Sequence, residues 1–136
     1  MADPVTGADV QGASFSSDQQ ALLEITRRFG NEVVAPVADE LDRRTDPAEC
    51  FSWDIVEQAD AAGIRTATLA KEYGGADIDS LTTAMIIEEL GKFDLGVSVV
   101  LAQTLKIAQT LQAAATPDQQ ERFIPDYAAD PRGLLA

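Results

Sequence analysis

"KEYGGADIDSLTTAMIIEEL", residues 71–90, sets a turn directly in front of a helix. Gly74-Gly75 marks a place where the backbone takes positive φ or passes close to a neighbour, since a residue without Cβ does either at little cost. Asp79 or Ser80 then supplies a helix start, and "LTTAMIIEELGKF" is predicted helical to about Phe93. Within it Glu88 precedes Lys92 by four residues, the favourable orientation for an ion pair along a helix. The preceding "IRTATLA" has no helical period, so an irregular connection leads into the turn.

Working outward, Ser17 and Gln20 have the spacing of a capping box, and Leu22, Ile25, Phe29, Val33, Val37 and Leu41 recur at threes and fours. The pattern predicts a long amphipathic helix over about 18–43, kinked or interrupted near "VVAPVA" because Pro36 lacks a backbone donor. Glu24 with Arg28 and Asp39 with Arg43 form a solvated charged face. Ser52 is placed to cap a helix over about 53–62 with Trp53, Val56, Ala59 and Ala62 inward, and Gly63 to end it. Downstream, "GVSVVLAQTLKIAQTLQAAA" (96–115) predicts a helix over about 96–114. Its first half is apolar on nearly every face and so requires cover on more than one side. Thr116-Pro117-Asp118-Gln119 starts a last helix carrying Phe123, Ile124 and Tyr127 inward, stopped by Asp130-Pro131-Arg132-Gly133. The fold class is therefore all-α, an up-down bundle of about five helices.

A chain of 136 residues, 46% of them hydrophobic, has the size and the apolar content of one domain. The net charge of −13, with ten Lys and Arg spread along the chain, repels phosphate backbones and anionic membranes and argues against both as partners. The absence of histidine removes Ser-His-Asp and Cys-His catalysis and Glu-x-x-His metal ligation, so no metal site is expected. Cys50, alone, forms neither an internal disulfide nor a thiolate cage, which fits a reducing, cytoplasmic compartment. Residues 1–14 read as a flexible arm rather than a signal peptide. Gln103, Lys106, Gln109 and Gln112 interrupt the most apolar stretch, which marks it as a buried helix and not a membrane span.

Few residues offer chemistry. Glu88 and Glu89, adjacent on a helix, point about 100° apart and cannot share a substrate, so they read as a polar helix edge. Lys71, Glu72 and Tyr73 beside the turn lack a partner fixed by spacing, and Gly74-Gly75 lacks the patterns that cradle phosphates. Cys50 has no cation fixed beside it to make a thiolate. Ser98 and Ala102, with Val99 beside them, cluster small side chains on the most enclosed helix. Such a face serves either close packing or the wall of a ligand cavity.

In order along the chain, "APVADELD", "EYGG", Asp79 four residues later, "EEL" at 88–90 and "QQERFIP" resemble the N-terminal helical domain of the acyl-CoA dehydrogenase family, from about Phe15 to Ala136. Ala70 and Asp77 depart from the pattern, standing where proline and glycine are common. The resemblance implies an arm over 1–14, the helical domain over 15–130, and a connection over 131–136 to a β-domain and a C-terminal helical bundle expected outside this chain. It implies FAD held mainly by those other parts, a base in the C-terminal bundle that removes the α-proton of an acyl-CoA thioester, and hydride transfer to the flavin. No catalytic residue is then expected here, and the chain alone should be inactive. Positions lining the acyl cavity fall on Ser98, Val99 and Ala102, whose small size implies a long or bulky acyl group. Implied partners are acyl-CoA, the remaining domains or a second acyl-CoA dehydrogenase chain in a homo- or hetero-oligomer, and an electron-transfer flavoprotein. The same scaffold also serves flavin monooxygenases and oxidases, and a free-standing helical interaction module is the non-catalytic alternative.

Overall fold

Ser16, one residue before the expected cap, opens α1 (Ser17–Phe29), with a complete capping box made with Gln19. This is the first element of a computed structural model that describes residues 15–135; the arm expected over 1–14 lies outside the described residues. Ser16 and Ser17 are both followed by Gln at the third position, and the register that places Gln19 beside α4 prevails, since its amide donates to Thr82 Oγ1 at 2.9 Å.

The long first helix is interrupted as Pro36 requires, but one turn earlier than the proline. Gly30–Val34 form a single π turn, in which the Ala35 N–H reaches back to Gly30 O, and α2 (Ala35–Asp42) restarts with Pro36 in its first turn. A proline in the first turn of a restarted helix forfeits no helical hydrogen bond. A Cβ on Gly30 would overlap the Phe93 ring, so the π turn is also where α1 meets the end of α4.

Next come α3 (Trp53–Ala61), α4 (Ser80–Gly91), α5 (Leu95–Ala114) and α6 (Pro117–Ala129). Asp79, Asp94 and Thr116 cap α4, α5 and α6 through their side chains. Ser52 occupies the cap position of α3 without a side-chain bond, while Gly63 takes φ +73° as expected of a stop. Counting α1 and α2 as one broken rod gives the five helices of the expected bundle. One core joins Phe29, Val34, Ile55, Ala59, Ile86, Leu90 and Leu101; a second joins Leu69, Ala108, Ile124 and Tyr127.

The turn at 74–75 does both things a glycine pair permits. Gly74 takes φ +82°, and a Cβ on Gly75 would fall inside the Leu69 carbonyl. The two departures from the family pattern acquire reasons here. Asp77 takes φ +54°, a left-handed conformation that glycine adopts most easily. Ala70 keeps a backbone N–H that a proline would lack, and Gln112 Oε1 accepts it at 2.6 Å while Gln112 Nε2 donates to Thr68 O at 2.8 Å. One side chain of α5 thus pins the irregular segment.

Several side-chain expectations are corrected. Phe123 points outward, 47% exposed, because α6 buries only one face, through Ile124 and Tyr127. Lys92 pairs with Glu89 at 2.7 Å rather than with Glu88, and Arg27 with Glu24 at 3.1 Å, so Arg28 is not the partner of Glu24. Glu89 is no polar edge but a buried carboxylate between Lys92 and Arg27, whose hydrogen bonds hold it below the usual carboxylate range.

Candidate functional site

The structure places the three candidate cavity residues at different depths on α5. Ser98 is buried and its Oγ donates to Ile87 O at 2.8 Å, so this small side chain serves close packing of α5 on α4. Val99 is 53% exposed, and Ala102 is half-buried one turn further along. Val99 and Ala102 therefore share a surface with each other, while Ser98 backs it from the α4 side. Leu95, 72% exposed, precedes Val99 by four residues and completes a stripe at 95, 99 and 102. The cover expected on more than one side of the first half of α5 is supplied on one side by the core, where Leu101 is buried, while the Leu95–Val99 face has no cover among the described residues. The four-residue spacing of Leu95 from Val99 is legible in the sequence, but Leu95 is not among the small residues that mark this face.

The polar groups expected to be chemically idle are accounted for. Lys71 and Glu72 sit exposed on a 3-10 turn (Lys71–Tyr73) whose Tyr73 packs on the second core. Cys50 is exposed and donates to the Arg44 and Asp46 carbonyls, both at 3.2 Å. Among the described residues no group of acidic or sulfur side chains is arranged to hold a metal ion, and no helix is long and apolar enough to cross a membrane.

Sequence reasoning missed the most deeply committed charge in the molecule. Arg65, fully buried, bonds Asp60 Oδ1 through Nε at 2.9 Å. Its other two nitrogens donate to Tyr127 O and Gly133 O at 3.1 Å and to Ala128 O at 3.3 Å. Its guanidinium lies 4.6 Å from the centre of the Tyr127 ring, whose hydroxyl donates back to Arg65 O at 2.8 Å. Burial pushes the Tyr127 phenol up to about 12. This cluster absorbs the last carbonyls of α6 and fixes the segment after it, and Leu135 N–H reaches Thr104 Oγ1 at 3.3 Å. Leu135 packs on the second core. Nothing in the local sequence distinguishes Arg65 from a surface arginine.

The family described as acyl-CoA dehydrogenase, N-terminal domain, matches residues 16–130. A short-chain specific acyl-CoA dehydrogenase of Megasphaera elsdenii is 28% identical over 110 residues, covering 78% of this chain and 28% of that protein. A mitochondrial 2-methylacyl-CoA dehydrogenase of Solanum tuberosum is 29% identical over 135 residues, covering 93% of this chain and 32% of the relative. The solved structure of butyryl-CoA dehydrogenase from Megasphaera elsdenii superposes with a TM-score of 0.71 at 26% identity, over 85% of this chain and 30% of the other. The chain thus spans less than a third of the length of each of these proteins. With the family's pattern running through nearly all the described helices, and a solved relative folding the same way, the chain belongs to the acyl-CoA dehydrogenase family, as its N-terminal helical domain.

Proposed function

We propose that this chain is the substrate-cavity-forming N-terminal part of an FAD-dependent acyl-CoA dehydrogenase, which oxidises an acyl-CoA thioester at its α and β carbons. The observation that carries the proposal is the uncovered Leu95–Val99–Ala102 stripe on a helix whose opposite face is built into the core. An apolar face held this rigidly is suited to receive either another domain or an apolar chain, and to keep water from it. Val99 and Ala102 would form the wall, with Ser98 fixing its distance from α4. Small side chains there leave depth for a long or bulky acyl group.

The described residues do not make a flavin site by themselves. Every buried side-chain nitrogen or oxygen among them already has a partner in the chain, and no glycine-rich phosphate loop is present. FAD, which when bound supplies the hydride acceptor, would be held by the parts that follow the connection over 131–136, and the base would come from there too. The helical domain over 15–130 would then be inactive alone. We place the enzyme in the cytoplasm as an oligomer that passes electrons to an electron-transfer flavoprotein.

The test is native purification with intact mass, native and denatured, and a flavin absorption spectrum of the same sample, followed by acyl-CoA assays across chain lengths. A larger flavin-bearing chain or partner with acyl-CoA dehydrogenase activity is expected, and Val99→Trp should shift its preference toward shorter acyl groups. A colourless 14.5 kDa chain without partner would overturn the proposal and favour a helical interaction module.

A further inference from the structure

On another side of the bundle, where α2 ends and α3 and α5 begin, a half-enclosed apolar cavity of ≈ 290 Å³ opens between Leu41, Ile55, Val97 and Leu101. It runs through Phe51 into a shallower groove edged by Trp53, and the two rings stack edge to face with centroids 5.1 Å apart. The charges around this groove are unevenly matched. Its two arginines are already neutralised, Arg44 by Glu40 at 2.6 Å and Arg132 by Glu57. Asp42, Asp54 and Asp94, which line the same groove, have no cationic partner among the described residues. Asp94 is partly spent on capping α5, where its Oδ1 accepts the Val97 N–H at 2.7 Å, and Asp54 sits in the first turn of α3, but none of the three carboxylates meets a side-chain cation. An apolar floor under them, in a chain of net charge −13, is complementary to an apolar side chain flanked by cations.

A second copy of this chain offers no basic segment of this kind, only the single Arg122 beside the exposed Phe123. Six of its ten basic residues are in ion pairs, and the other four, Arg28, Lys71, Lys106 and Arg122, are far apart in sequence. We infer that the groove receives a basic segment of a partner protein, with one apolar side chain in the cavity and Lys or Arg side chains over Asp42, Asp54 and Asp94. The inference rests on the groove's own charges and does not depend on the α5 stripe.

Trp53 is the only tryptophan and is 45% exposed at the groove's edge, so its emission reports occupancy directly. The probe is the synthetic peptide Lys-Lys-Gly-Phe-Gly-Lys-Lys, titrated into the 136-residue chain at low salt, with the same peptide carrying Gly for Phe as control. A saturable shift in Trp53 emission is expected, weakened by added salt and about tenfold weaker for the control peptide. The double variant Asp42→Asn, Asp54→Asn, checked for unchanged circular dichroism, should also lose about tenfold in affinity. No saturable shift, equal binding of the two peptides, or undiminished binding by the variant would each overturn the inference, as would concentration-dependent self-association that masks the groove.

Discussion

Replacing Arg65 with methionine keeps most of the buried stem and deletes every donor of the guanidinium. Left behind are the carbonyls of Tyr127, Ala128 and Gly133 and the Asp60 carboxylate, which Arg65 meets at 2.7 Å. Breaking a buried charge pair from one side costs about 3–5 kcal/mol, and each buried carbonyl left unpaired about 1–3 kcal/mol. Asp60 and the Gly133 segment are partly accessible, so water recovers some of this, and the net expectation is about 3–5 kcal/mol. With a urea slope of about 2 kcal/mol per molar for a domain of this size, the unfolding midpoint followed by far-UV circular dichroism should fall by roughly 2 M. Arg65→Lys retains the charge beside Asp60 but cannot span three carbonyls, and should fall between the two. A midpoint for Arg65→Met within about 0.5 M of the parent would refute the reasoning, since water would then replace the guanidinium almost without cost.

The glycine pair gives a paired test: Gly75→Ala should cost about 3 kcal/mol or more because the Leu69 backbone must move, and Gly74→Ala only about 1–2 kcal/mol for its positive φ, both read from urea midpoints. Tyr127 has its phenol raised by burial, so its contribution to stability is whole below pH ~10 and is lost as pH rises through about 12, a loss of roughly 2–3 kcal/mol. Absorbance titration in a Tyr73→Phe background isolates that phenol, and its ionisation should coincide with alkaline unfolding. Glu89 has the opposite sign: its carboxylate is held low by Lys92 and then Arg27, so its contribution is whole above the ordinary carboxylate pKa of about 4.3 and is lost as pH falls through the folded value. Glu89→Gln should lower thermal stability at neutral pH and flatten its acid-side dependence.

Helix positions were largely legible because they rest on local rules: period, cap residues, the stop at Gly63, the turn at Gly74 and the start at Pro117 act within a few residues of chain. What escaped depends on contacts between distant segments. Ser16 outcompetes Ser17 because of Thr82, sixty-odd residues away, and Lys92 chooses Glu89 because Arg27 from α1 already fixes that carboxylate. Arg65 gathers four acceptors, three of them more than sixty residues later in the chain, which no window of sequence can display. For the candidate site, composition picked out small residues on α5, but only packing separates Ser98, spent on Ile87, from the open face at Val99.

The π turn at Gly30–Val34 governs angular phase. A helix advances about 100° per residue, so the extra residue held in that wider turn sets the heading of everything from Ala35 to Asp42 relative to α1. Deleting any one residue from it would permit an unbroken α-helix, yet Val37 and Leu41 would swing about 100° from the core that Leu22 and Phe29 still face. The segment should therefore accept many substitutions at exposed Asn31 or Glu32 while rejecting any change in length, a constraint written in register rather than in side-chain identity.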